Sequence, residues 1–322
     1  MKKIRVSPPV AALILAIVLF LLSGFLPNSY GTDVNIAVAQ ATNIVRLAVF
    51  LGVIAAGQTL VIISGFEGID LSAGSVVTLT AILTYVIVSG DNALVLPALL
   101  VAILVGALIG LLNGLGITYL KISPFVMTLG MSGVVTGAII VLNHGNVSGK
   151  VAPIMTRIIA RPIVPEIPIP GAILIWLIFG VFMWLLLERT TYGKNLFAIG
   201  VNRVTARLSG VRVSLMNILT YTLAGALTGF GGFLVVGNTG VVFIALGQPF
   251  LFPAIAAVAV GGTLLSGGKG SYWGTMAGAI VLTLLTSLLT TMQMPESVRR
   301  MVLGGTLLIL ISIYGRQRSF RQ

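Results

Sequence analysis

Ten apolar runs, at roughly 8–26, 46–64, 72–89, 94–117, 125–143, 171–187, 214–236, 251–265, 272–291 and 301–315, take up most of this chain. A helix crossing the hydrocarbon core of a bilayer needs about 20 apolar residues, and most of the runs approach that length with almost no charge inside them. Hydrophobic residues make up 57% of the 322 and charged residues 8%, against about 25% charged in a soluble domain. A water-soluble globule cannot hide that much apolar surface, and disorder needs the opposite composition. The chain reads as an all-α polytopic membrane protein of about ten transmembrane helices, one domain over residues 1–322. The run at 251–265 is short and ends in Gly261-Gly262, the mark of a broken or re-entrant segment. The polar, amphipathic stretch 31–45 is expected to lie at the membrane interface.

The net charge of +12 is explained by topology. With the N-terminus inside, thirteen of the 19 Lys and Arg fall on the inner side and six, Arg46, Lys150, Arg157, Arg161, Arg299 and Arg300, on the outer side. That bias follows the positive-inside rule, puts both termini on the cytoplasmic side and removes the need for a nucleic-acid partner. The two longest connections are then an outer loop, 144–170, and an inner loop, 188–213. Lys2, Lys3 and Arg5 precede the apolar Val10–Leu22, but no Ala-x-Ala cleavage pattern follows, so this segment reads as a retained first helix. The absence of Cys and the single His144 exclude a disulfide framework and a multi-His metal site, and no cofactor is expected. The segment Gly262–Ser271 approaches the phosphate-binding loop pattern but has Thr263 in place of the first Gly and Gly270 after Lys269. Any ATP-driven work therefore needs a second polypeptide.

Gly totals 39 residues. Gly106, Gly110 and Gly114 are spaced by four, Gly225, Gly229, Gly231 and Gly232 crowd another run, and Gly274 and Gly278 a third. Small residues at this spacing let membrane helices pack closely.

Polar residues inside or between spans are the candidates for function. In Gly65-Phe-Glu-Gly-Ile-Asp-Leu-Ser-Ala-Gly-Ser75, Ser72 can cap the following helix through its hydroxyl, or Asp70 can do so instead. Asp70 reads equally as a cap and as a proton or cation site at a helix break, while Glu67 reads as part of a turn. Gln58, Asn113, Thr128, Asn143, Thr222 and Asn238 either line a pathway or bond across helix pairs. His144 reads as an interfacial side chain at a helix end. Within the inner loop, Asn202 is placed to cap a short helix over about 203–209, with Gly210 as its stop. That helix presents Val204 and Leu208 on one face and Arg203 and Arg207 on another. It suits either lipid headgroups or a cytoplasmic partner.

The stretch Thr191-Tyr-Gly-Lys-Asn-Leu-Phe-Ala-Ile-Gly-Val-Asn-Arg-Val-Thr-Ala-Arg-Leu-Ser-Gly-Val211 resembles the cytoplasmic coupling loop of bacterial sugar ABC-transporter permeases of the ribose, xylose and galactose type (carbohydrate uptake family 2). Gly68-Ile-Asp-Leu-Ser-Ala-Gly-Ser75, Ser123-Pro-Phe-Val-Met-Thr-Leu-Gly130 and Ala256–Ser271 match the same family in order and spacing. The resemblance implies a fold like the vitamin B12 permeases. It implies an importer of a small sugar or polyol working by alternating access, in which the permease itself is not the enzyme. It also implies the partners: a cytoplasmic ATPase with two fused nucleotide-binding domains, a second permease copy or a related chain, and a periplasmic sugar-binding protein. Carried onto this sequence, Thr191, Gly193, Asn202, Ala206, Arg207 and Gly210 fall at or near the ATPase contact. Gln58, Asp70, Ser72, Asn113, Phe125 and Thr128 become candidates for the translocation pathway. The chain departs from the family at Val201, where Gly is frequent, at Thr205, where Ala is usual, and at Phe66 and Glu67, where Gly is common.

Overall fold

A computed structural model describes residues 7–25, 30–31, 33–65, 68–143, 147–162 and 169–316. The described chain is helical: α1 Pro8–Ser23, α2 Val34–Ile63, α3 Ala73–Val88, α4 Val95–Tyr119, α5 Pro124–Asn143, α6 Pro153–Ala160, α7 Gly171–Glu188, α8 Thr191–Val201, α9 Arg203–Leu208, α10 Val213–Thr239, α11 Leu251–Val260, α12 Tyr272–Thr291 and α13 Glu296–Arg316. Each of the ten apolar runs has its helix. Six helices are long and apolar enough to cross a membrane, and α1, α3 and α11 are shorter apolar helices. At about 1.5 Å per residue, the ten residues of α11 reach half-way through a hydrocarbon core of about 30 Å, as expected of a broken segment.

The polar stretch 31–45 leads without a break into the following apolar run. From residue 34 it forms the first turns of α2, because the Asp33 carboxylate accepts the amides of Asn35 and Ile36 and so starts the helix there. The 30 residues of α2 exceed the length a bilayer core needs, which leaves its polar beginning at headgroup level or beyond. From Ala48 to Ile63 every residue of α2 is buried, as befits a run that is apolar on all sides. Around this axis pack α10, α12, α11, α7 and α8. Deep in the bundle, Trp176 donates its indole N–H to the Tyr272 hydroxyl, which donates to the Gly52 carbonyl, each at 3.0 Å.

The glycine spacing is used where α4 meets α10. A Cβ on Gly106 would strike the Gly225 carbonyl, one on Gly110 the Tyr221 carbonyl, and one on Gly229 the Ala102 carbonyl. Gly274 and Gly278 likewise lie against the backbone of Gly261 and Ala257, joining α12 to α11. In a membrane, where burial from water drives helices together little, such contact supplies the attraction.

Residues that the charge distribution assigns to opposite faces of the membrane gather at opposite ends of the bundle. At one end Gly90 donates to the Lys150 carbonyl, Ile154 to the Asn92 side chain, and Arg46 to Asn238, while the Ile159 side chain fills the space beside Gly237. At the other, Pro8 touches Gly262, and Ile63, Gly200 and Gly268 meet. Residues assigned to opposite faces of the membrane do not mix in these contacts.

Gly110→Ala is expected to destabilise the detergent-solubilised chain by about 1–3 kcal/mol through overpacking. Gly133→Ala, where a Cβ would meet nothing within 4 Å, should melt with the wild type or above it. Equal melting of both variants would show that the α4–α10 contact is looser than described.

Candidate functional site

The first polar cluster lies where α2 ends and α3 begins. Between them the chain is non-helical, so its amides and carbonyls need partners from elsewhere. Gln58, on α2, bonds Asp70 twice: its Nε2 donates to the Asp70 carbonyl at 2.5 Å, and its Oε1 accepts the Asp70 amide at 3.2 Å. Thr128, on α5, accepts the Leu71 amide at 3.0 Å. Asp70 Oδ1 accepts both the amide and the hydroxyl of Ser72, at 2.9 and 2.5 Å. Asn113, on α4, donates to the Ser72 hydroxyl at 3.0 Å. The five residues are buried and tie α2, α4 and α5 to one interruption.

Five of the six pathway candidates therefore come together. Phe125 stands apart, 56% exposed at the start of α5. The Ser72 hydroxyl does not cap α3; it is spent on Asp70, whose carboxylate takes the Ser72 amide instead. Asp70 is the one buried acidic residue among those described, and it forms no ion pair among them. Asn113 Oδ1 and the Tyr221 hydroxyl, both buried, make no hydrogen bond among the described residues. Asn238 accepts from Arg46 at 2.9 Å and Thr222 bonds back to the Ile218 carbonyl, so both lie outside this cluster. Phe66, Glu67 and His144, and the Asn143 side chain, lie outside what is described.

The second cluster is the helix pair α8–α9. Thr190 Oγ1 accepts the Gly193 amide at 3.2 Å and starts α8. A Cβ on Gly193 would collide with the Leu187 carbonyl, so the reversal from α7 into α8 requires glycine. Leu196 and Ile199 are buried against the bundle, and the Tyr192 hydroxyl bonds Thr220 at 3.1 Å. Asn202 Oδ1 then accepts the amides of Val204 and Thr205, at 2.9 and 3.0 Å, and starts α9 as the sequence predicts. Gly210, at φ +88°, ends the turn: its amide donates to the Arg207 carbonyl, and the Val211 amide to that of Ala206. Ala206 alone in α9 is buried, while Val204 is 69% and Leu208 83% exposed. Thr191 and Arg207 are exposed as well. Arg203 lies half-buried beside a small cavity lined by Ser64, Ile199 and Thr220. Burial and then the neighbouring Arg207 hold its guanidinium below the usual range. Gly193, Asn202, Ala206 and Gly210 thus shape the pair, and Thr191, Val204, Arg207 and Leu208 present it.

Residues 40–311 match the family described as branched-chain amino acid transport system / permease component. Among curated proteins, the ribose import permease protein of Bacillus subtilis is 36% identical over 279 residues, covering 86% of this chain and 84% of the relative. An autoinducer 2 import system permease protein of Escherichia coli is 30% identical, covering 99% and 90%. The galactose/methyl galactoside import permease protein of Salmonella typhimurium is 32% identical, covering 94% and 91%. No solved structure matches the chain. The fold and these matches define a multi-pass membrane transport protein. The chain belongs to this permease family.

Sequence reasoning missed two residues of the site, Tyr221 and Gly200. Tyr221 sits in an apolar run with nothing to distinguish it. Gly200 is inside the inner-loop motif, but its close contacts are all made by residues distant in sequence.

Gln58→Leu is expected to strand the Asp70 amide and carbonyl, at about 1–3 kcal/mol for each buried group left unpaired, and to lower the melting temperature in detergent. Melting with the wild type would mean that the interruption is held by something other than this network.

Proposed function

We propose that this chain is the membrane subunit of an ATP-binding cassette importer that moves a small sugar or polyol of the pentose or hexose class into the cytoplasm. The observation that carries the reading is α9, which projects from the bundle on a buried Ala206 and exposes Val204, Arg207 and Leu208. An exposed apolar pair beside a cation fits a groove in a partner protein better than it fits open water. The partner is a cytoplasmic ATPase with two fused nucleotide-binding domains, since this chain has no phosphate-binding loop. A second permease copy, or a related chain, completes the pathway, and a periplasmic sugar-binding protein delivers the substrate. Both chain termini and the α8–α9 end face the cytoplasm, which agrees with the excess of Lys and Arg there. The names of the relatives, which import ribose, galactose or autoinducer 2, support the substrate class.

Alternating access then needs two arrangements of the bundle that the partners favour differently. The interruption at Asp70 and the short α11 are the places where helices can shift without breaking a continuous ladder. Thr191, Gly193, Asn202, Ala206, Arg207 and Gly210 form the ATPase-contact region; Gln58, Asp70, Ser72, Asn113 and Thr128 hold the interruption beside the pathway, and Phe125 flanks it from α5.

A gentle detergent pull-down of the tagged chain should bring down a two-domain ATPase, identified by mass spectrometry. Leu208→Asp should reduce that capture about tenfold, equivalent to about 1.4 kcal/mol, while the chain still inserts. Undiminished capture by Leu208→Asp would remove α9 from the interface.

A further inference from the structure

At the cytoplasmic end three backbones meet closely, with the Val201 side chain alongside Gly268. The first is the C-terminus of α2, where the Ile63 carbonyl is one of the acceptors that a helix end leaves unpaired. The second is the turn 261–271 between α11 and α12, whose Gly268 amide donates to that carbonyl at 2.9 Å. The third is the end of α8. Gly200, its penultimate residue, lies over this bond: a Cβ there would collide with both the Ile63 oxygen and the Gly268 nitrogen.

The neighbouring positions are as close. A Cβ on Gly65 would lie 3.3 Å from both the Gly200 Cα and the Ser266 carbonyl oxygen, and one on Gly267 would strike the Gly65 Cα. Gly65, Gly267 and Gly268 have φ of +73°, +87° and +74°, a region that side-chain-bearing residues rarely occupy. Glycine is thus required here twice over, for space and for conformation.

The contact joins three elements. Val201 follows Gly200, and Asn202 then starts α9. Ile63 opens the interruption that Gln58, Thr128 and Asn113 hold to the rest of the bundle. Gly268 belongs to the turn that ends the half-length α11. Backbone in van der Waals contact with backbone has no rotamers in which to absorb a displacement, and packed interfaces shift between discrete arrangements rather than deform.

We propose that Gly200 is the positioning residue through which the α8–α9 pair drives both helix interruptions together, acting on the Ile63–Gly268 hydrogen bond. The inference rests on the importer reading above, in which an ATPase moves α9. A side chain at position 200 separates α8 from that bond while leaving the exposed face of α9 as it is, so the ATPase stays bound and its motion is not passed on.

Hydrogen exchange on the complex of the full chain with its ATPase, with and without ATP, tests this. In the wild type, exchange over residues 68–72 and 261–271 should change together on ATP binding, by about fivefold or more, the scale of an ordinary coupling between sites. In Gly200→Ala the ATPase should still co-purify and the joint response should vanish. A response in Gly200→Ala equal to that of the wild type, with ATPase bound, overturns the proposal. If Gly200→Ala cannot be recovered folded, the wild type alone decides: both segments responding supports the proposal, and one or neither responding overturns it. A wild-type chain that captures no ATPase would instead defeat the importer reading itself.

Discussion

A backbone interrupted where the bundle buries it has no water to complete its hydrogen bonds, and every amide and carbonyl it frees must find a partner within the protein. Much of this structure follows from meeting that demand. After α2, Gln58 and Thr128 take the amides and carbonyl of Asp70 and Leu71, and the Asp70 carboxylate takes that of Ser72. Before α11, the Thr78 hydroxyl takes the Gly247 amide at 3.0 Å. After α11, the Gly268 amide completes the Ile63 carbonyl. Side chains serve the first two interruptions and bare backbone serves the third, so glycine gathers at the third and polar residues at the first.

The same demand gives the fold its division of labour. The α4–α10 and α11–α12 contacts are closed by glycine with backbone against backbone, and they leave no room for a side chain to turn. The interruptions are held by individual hydrogen bonds, each worth about 0.5–1.5 kcal/mol net, and can be exchanged for others at modest cost. A bundle of stiff pairs joined at such points is suited to alternate between two arrangements. The α8–α9 pair stands at the end where two of the interruptions converge, with Leu196 and Ile199 packed inward and Val204 and Leu208 of α9 outward.

Much of this was legible in the sequence, and the rest fails for identifiable reasons. Apolar runs locate membrane helices because their length is set by the bilayer, and the short α11 showed itself through Gly261-Gly262. Asn202 and Gly210 bracket α9 because capping is local chemistry. The composition of 31–45 marks it as interfacial, but composition does not show that Asp33 starts a helix running on unbroken into the apolar run. Ser72 resembles a cap by type and position, but its hydroxyl is drawn into the polar cluster instead, donating to the Asp70 carboxylate two residues earlier and accepting from Asn113. Phe125 was chosen from its motif, which carries no information on which way one helix face is turned. Gly200 was invisible as a contact because its neighbours, Ile63 and Gly268, lie far away in sequence.

The account depends on ATP, not an ion gradient, powering movement through this bundle, with Asp70 holding an interruption rather than carrying a proton. The most direct measurement is uptake of labelled ribose and galactose into proteoliposomes containing the permease with the proposed ATPase and sugar-binding protein, with trapped ATP or an imposed proton gradient varied separately. Uptake that requires ATP and proceeds without the gradient is the predicted result. Uptake driven by the gradient alone, without ATP, and abolished by Asp70→Asn would contradict it.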